Sequence, residues 1–150
     1  MAERKATAEW NGSLSEGGGK VALGSGLFEG AFSFATRMGD EPGTNPEELL
    51  GASLAGCYAM ALNATLEKKG KPARSVKTEA KVYLGKDDSG FKINRIDLDA
   101  RAEVDEIEDA DFQSIAEDVK TSCPISKALA SVTINLTATL VRAEAAGEKL

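Results

Sequence analysis

Asn45 to Gly70 reads NPEELLGASLAGCYAMALNATLEKKG, and the rest of the chain is understood around the helix it encodes. Asn45 is an N-cap residue, Pro46 fits the first helical position, and Glu48 stands where a capping box needs its acidic partner. The pattern predicts a helix to about Lys69, stopped by Gly70. Its first three-quarters is apolar or small almost all round, which predicts a buried helix rather than an amphipathic one. The last turn, EKKG, is charged and should reach solvent.

Upstream, Asp40–Thr44 (DEPGT) reads as a loop. Ala31–Arg37 alternates, with Phe32, Phe34 and Thr36 on one face and Ser33, Ala35 and Arg37 on the other, which predicts a strand. Lys5–Trp10 and Lys20–Leu23 read as two further strands, with Gly17–Gly19 as a flexible turn between them. Downstream, Ser75–Leu84 and Phe91–Val104 form a predicted hairpin around a turn at Asp87–Gly90. Phe91 and Ile93 are out of phase with Ile96, Leu98, Ala100 and Val104, and a bulge near Asn94 or Arg95 would restore the register. Asp109–Lys120 predicts a helix with Phe112, Ile115, Ala116 and Val119 inward. Pro124–Ala130 predicts a short second helix, and Val132–Leu140 a last strand. The tail from Ala143 is polar and expected to fray. The order β-β-β-α-β-β-α-α-β is α+β with mostly antiparallel pairing.

At 150 residues, with no internal repeat or linker, the chain is expected to be a single domain, 1–150. That length can bury a core without disulfide staples. A net charge of −6 argues against broad nucleic-acid binding and against anionic membrane surfaces. No apolar leader follows Met1. The run Leu49–Leu62 is too short and glycine-rich to span a bilayer. These features predict a soluble, cytoplasmic protein, where a cysteine pair is more often reduced or redox-active than structural.

The chain has two cysteines and no histidine. Ser-His-Asp, Cys-His and His-metal chemistry are therefore excluded, and a closed zinc site within one chain is not expected. Cys57, inside the long helix, is either a small buried hydrophobe or a nucleophile. Cys123 precedes Pro124 and can sit at the N-cap of the next helix. There it is either a plain cap substitute or a thiol with a lowered pKa. Arg37 is either an exposed strand-end charge or an anion partner. Glu47 and Glu48 both complement the helix dipole. The capping box claims Glu48 more strongly and leaves Glu47 freer to act elsewhere.

GTNPEELLGASLAGCYAMAL (Gly43–Leu62) together with CPISKAL (Cys123–Leu129) resembles the OsmC/Ohr family of thiol peroxidases. AEWNG (Ala8–Gly12) and FATR (Phe34–Arg37) fit as well, closest to the OsmC branch, so the similarity runs over nearly the whole chain. It implies an OsmC-like fold: mostly antiparallel sheets around a long buried central helix, in an intertwined homodimer. It also implies that Cys57 is the peroxidatic cysteine and Cys123 the resolving one, with Arg37 and Glu47 completing the site.

These residue types suit peroxide reduction. Burial alone raises a thiol pKa, and a guanidinium reverses that and can contact peroxide oxygens. A carboxylate can hold the arginine by a bidentate pair. The implied cycle runs through a Cys57 sulfenic acid and a Cys57–Cys123 disulfide. No bound cofactor is expected. The resemblance implies an external dithiol reductant such as dihydrolipoamide or a lipoylated protein. Glu47 and Cys57 lie ten residues apart on one predicted helix, about 15 Å by helical rise. An antiparallel partner helix could bring its own Glu47 near, and Gly51, Ala52, Ala55, Gly56 and Ala59 would permit close approach. Phe32, Phe34, Leu49, Leu50, Leu54, Tyr58 and Met60 could line an apolar path favouring organic hydroperoxides over hydrogen peroxide. Three other readings compete: a dimeric module binding a small hydrophobic ligand, a general disulfide oxidoreductase, and a structural disulfide. The absence of a CxxC pair weakens the second.

Overall fold

The computed structural model describes residues 1–142. The tail from Ala143 lies outside the described residues. Contacts divide the chain into two units, Met1–Leu49 and a second beginning at Leu50.

The first unit carries an antiparallel sheet of β1 (Ala6–Asn11), β2 (Gly18–Leu23) and β3 (Glu29–Phe32), in that order. Gly18 and Gly19 are not the expected turn but the start of β2, paired with Asn11 and Trp10. The turn sits earlier and is closed by Gly17 N–H donating to the Ser13 carbonyl at 2.8 Å. A Cβ on Gly19 would stand 2.6 Å from the Phe32 ring, so glycine here admits an aromatic ring over the strand. Phe32 in turn meets Trp10, ring centroids 5.5 Å apart.

The predicted strand Ala31–Arg37 breaks in two. β3 ends at Phe32, and Phe34–Met38 is a short helix, α1. The reason is a capping box that outweighs the alternation. Thr36 N–H donates to Ser33 Oγ at 3.1 Å, and Ser33 N–H donates to Thr36 Oγ1 at 2.8 Å. Thr36 Oγ1 also donates to the Thr44 carbonyl at 2.8 Å, which ties α1 to the loop before the long helix.

That helix, α2 (Pro46–Lys68), begins in the first unit and continues into the second. Its ends follow the sequence. Glu48 N–H donates to Asn45 Oδ1 at 2.7 Å. At the other end Gly70 adopts φ +74°, with Lys71 N–H on the Leu66 carbonyl and Gly70 N–H on the Glu67 carbonyl, both 2.9 Å. This is a Schellman stop, open to a residue without Cβ strain.

The second unit holds β4 (Ser75–Asp87), β5 (Gly90–Glu103), α3 (Asp109–Ser122), α4 (Pro124–Ala128) and β6 (Thr133–Val141). β4 and β5 form the expected hairpin. Tyr83 pairs with Arg95 and Leu84 with Ile93, so Asn94 is the extra residue and the bulge falls where the phase shift placed it. β6 lies on the other side of β5 and runs parallel to it, reached by the α3–α4 crossover. α3 buries Phe112, Ile115, Ala116 and Val119, the four residues its periodicity selects.

α2 is buried on one side only within this chain. Leu54, Tyr58, Leu62 and Leu66 are fully buried, spaced four apart. Tyr58, Leu62 and Leu66 pack with Leu98, Ala100 and Phe112. Each such leucine contributes about 1.5–3 kcal/mol of transfer free energy. Ala52, Ser53, Gly56, Met60 and Ala64 face outward. The expectation of burial all round is therefore corrected: small residues on the second face leave it open. Leu49–Leu62 is part of a longer helix: α2 has 23 residues and a mean hydropathy of 1.4 over its best window, enough for a membrane span by length and composition only, a test that the core helix of a globular protein also passes.

Tyr58 anchors the core by donating from its hydroxyl to the Ala116 carbonyl at 2.8 Å. Burial, helped by the charge of Glu117, pushes its phenol well above the ordinary tyrosine value. A raised folded pKa stabilises below the unfolded value of about 10 and loses that contribution as pH climbs past it. Wild type should therefore lose stability in urea titrations above about pH 10 more steeply than Tyr58→Phe. At pH 7 the same variant should cost about 1–2 kcal/mol, because the Ala116 carbonyl loses its donor.

Candidate active site

The four residues singled out from sequence form two pairs, one in each unit.

In the first unit Arg37 sits in α1, one turn beyond the Ser33 cap, and Glu47 in the first turn of α2. Arg37 Nε lies 3.1 Å from both Glu47 carboxylate oxygens and Nη2 lies 2.7 Å from Oε1. The geometry is a bidentate fork. The Glu47 side chain is 10% exposed, while that of Arg37 keeps 39% of its surface. The carboxylate is thus committed to the pair. The arginine uses its Nε–Nη2 edge and leaves Nη1 for another anion. Arg37 is neither an isolated surface charge nor at a strand end. The helix that replaces the predicted strand turns it toward Glu47. Glu48 completes half of the expected capping box: its N–H donates to Asn45 Oδ1, while its carboxylate accepts from Thr44 Oγ1 at 3.4 Å.

In the second unit Cys57 and Cys123 face each other, with sulfurs 2.8 Å apart and both thiols free. α2 supplies Cys57, half-buried, and the α3–α4 junction supplies Cys123, fully buried. Their surroundings are apolar: Leu54, Ile96, Ile125, Val132 and Ile134 pack about the pair. Leu54 and Tyr58 are fully buried, so these two residues belong to the core rather than to an approach path. Met60, 76% exposed, and Phe34, 40% exposed, remain open.

The setting acts oppositely on the two thiols. Burial pushes Cys57 up, and the hydrogen bond with Cys123 adds to it. Cys123 is opposed by burial too, but its bond with Cys57, the Ser126 N–H and hydroxyl and the Ile125 N–H together bring it below the usual thiol value. Cys123 caps α4 as the sequence suggested, with Pro124 in the first turn. It makes no close side-chain cap bond, and the first-turn N–H groups act on its sulfur at longer range. In the neutral pair Cys123 Sγ donates to Cys57 Sγ. Two thiols at this separation become a disulfide by losing two electrons and two protons.

One residue escaped the sequence reading. Ser126, 5% exposed, stands one turn after Cys123 on α4. The signal available was its i+3 spacing from a cysteine at a helix start.

The profile of the OsmC-like protein family matches residues 39–137. Peroxiredoxin OsmC of Escherichia coli strain K12 is 39% identical over 134 residues, covering 88% of this chain and 94% of that protein. Organic hydroperoxide resistance protein-like 2 of Staphylococcus epidermidis is 29% identical over 121 residues, covering 77% and 83%. Among solved structures, an organic hydroperoxide resistance protein from Elizabethkingia anophelis aligns with TM-score 0.75 at 23% identity, covering 94% of this chain and 98% of that one. One from Legionella pneumophila aligns with TM-score 0.71 at 20% identity, covering 93% and 99%. The structural likenesses speak to the fold.

Proposed function

From the premise that this chain belongs to the OsmC-like protein family, we propose that it is a thiol-dependent peroxidase that reduces organic hydroperoxides to alcohols. The observation that carries the reading is the Cys57–Cys123 pair, two free thiols 2.8 Å apart in an apolar setting. Cys57 is the peroxidatic residue because it is the more accessible of the two. Its thiolate attacks the distal peroxide oxygen. The O–O bond breaks, the alkoxide leaves and takes a proton, and Cys57 becomes a sulfenic acid. Cys123 thiolate then attacks that sulfur, expels hydroxide and forms the disulfide. An external dithiol, lipoyl-type by family analogy, reopens it. No bound cofactor takes part.

Burial raises the Cys57 thiol, so a cation is needed to favour its thiolate near neutral pH. Arg37, held by Glu47, is that cation, and its free edge receives the peroxide oxygens. The chain works as a homodimer in which the Arg37–Glu47 pair of one copy serves the thiols of the other. Three features support this: the open outer face of α2, the exposure of every residue of β1, and the outward side chains of Leu14 and Leu27.

The test is free-thiol titration of reduced protein before and after one equivalent of cumene hydroperoxide. Both thiols should disappear within the mixing time of a manual assay, and dihydrolipoamide should restore them. Persistence of both thiols would overturn the reading and favour a dimer that binds a hydrophobic ligand.

A further inference from the structure

The described residues contain one buried side-chain oxygen without a hydrogen-bond partner, Ser126 Oγ. Such a hydroxyl costs stability unless some state of the protein engages it. It makes none of the bonds usual for a serine in the first turn of a helix. Ser126 occupies the third position of α4, from which a side chain can reach back to the N-cap N–H. That N–H, on Cys123, already donates to the Val119 carbonyl at 3.1 Å, and the Cys123 carbonyl accepts from Lys127 N–H at 2.9 Å. What remains on the same helix face, one turn back, is the Cys123 sulfur. That sulfur is fully buried, so water cannot serve as its donor.

We propose that the Ser126 hydroxyl is a catalytic donor to Cys123 Sγ, receiving its negative charge when the Cys57–Cys123 disulfide is reopened. The proposal rests on the peroxidase reading for its place in the cycle. Cys57 is half-buried and Cys123 fully buried, so an incoming thiolate of the dithiol reaches Cys57 Sγ. A bond forms between the reductant sulfur and Cys57, the Cys57–Cys123 bond breaks, and its electron pair leaves on Cys123. The second thiol of the reductant, deprotonated to solvent, then attacks its partner sulfur. This forms the reductant's own disulfide and releases Cys57 as thiolate. Both protein thiolates regain protons, which enter from solvent by way of the half-buried Cys57, and the dithiol has lost two electrons. Leaving-group thiolates of lower pKa leave faster. A hydroxyl that is idle against a neutral thiol and engaged against a thiolate lowers the barrier without over-stabilising the resting state. The Ser126 hydroxyl is among the groups that favour the Cys123 thiolate over its thiol.

The experiment oxidises the protein with diamide, removes the oxidant, and follows reopening of the disulfide by dihydrolipoamide. Wild type, S126A, S126T and S126V are compared. S126A should reopen about tenfold more slowly. S126T should remain near wild type and S126V should match S126A. The last two are nearly isosteric and differ in the hydroxyl, so the comparison stands even if S126A folds poorly. A spectroscopic readout separates chemistry from packing. In a Cys57→Ser background, the thiolate absorbance of Cys123 should titrate at higher pH with S126A and at the unchanged pH with S126T. Equal reopening rates and equal titrations would overturn the proposal. Because diamide makes the disulfide, inertness of wild type toward cumene hydroperoxide would sink the peroxidase reading while this comparison still judges Ser126.

Discussion

Cys57→Ser is expected to abolish peroxide turnover, while Cys123→Ser keeps one round of it and stops at a sulfenic acid. A serine hydroxyl is almost un-ionised at neutral pH, whereas the thiolate is the species that attacks. The loss should reach at least about four orders of magnitude, because no second nucleophile can stand in for the accessible thiol. Cys123 is fully buried and reaches the peroxide poorly. In Cys123→Ser the sulfenic acid has no resolving partner. It should persist long enough to be trapped by dimedone and identified by mass, one adduct per chain. A Cys57→Ser protein that consumed peroxide at the wild-type rate, or a dimedone adduct on Cys123, would reverse the assignment of roles. The same variants separate a catalytic pair from a structural disulfide. A structural bridge would leave peroxide consumption indifferent to either substitution.

Arg37→Met should damage stability and activity together. Glu47 is nearly buried and committed to the guanidinium through three short contacts. Removing the arginine leaves a carboxylate with little water and no cation. For fully buried pairs that costs about 3–5 kcal/mol, but the partly exposed arginine lowers the expectation to about 1–3 kcal/mol. Urea denaturation checks this, and Arg37→Met combined with Glu47→Leu should recover most of the loss, since the stranded charge is then gone. The double variant should not recover catalysis. Loss of the cation should cost about two to three orders of magnitude in peroxide reduction. Burial raises the Cys57 thiol, so thiolate becomes scarcer at neutral pH once its cation is removed. The pH–rate profile of Arg37→Met should therefore shift to higher pH, with partial recovery in alkali. Subunit exchange tests whether Arg37 acts across a dimer. Mixing inactive Cys57→Ser and Arg37→Met proteins should restore about a quarter of wild-type activity if the site is shared between copies. No recovery after verified exchange would confine the site to one chain.

Much of this arrangement was legible locally. The bounds of α2 depend on caps, and caps act within one turn. Asn45, Pro46 and Gly70 therefore carry that information in sequence. The buried face of α3 follows from a period of 3.6, and the bulge at Asn94 from a break in alternation, both visible in one segment. Ala31–Arg37 was misleading because alternation and a Ser-x-x-Thr capping box coexist in the same residues. The box prevailed because Thr36 also reaches the Thr44 carbonyl, a contact eight residues away that alternation does not reveal.

Sequence by itself determined the chemistry that is possible here. In a chain with two cysteines and no histidine, thiol chemistry backed by arginine and carboxylate is the strongest remaining route, and its flanking motifs carried the family. Tertiary structure alone decided which groups meet. It set β6 parallel to β5, brought Cys57 of α2 within 2.8 Å of Cys123, turned Arg37 onto Glu47, left one face of α2 open, and buried the Ser126 hydroxyl without a partner. Propensity, capping and periodicity are properties of neighbouring residues. Proximity across 66 positions is a property of how elements pack, and it is absent from any local reading.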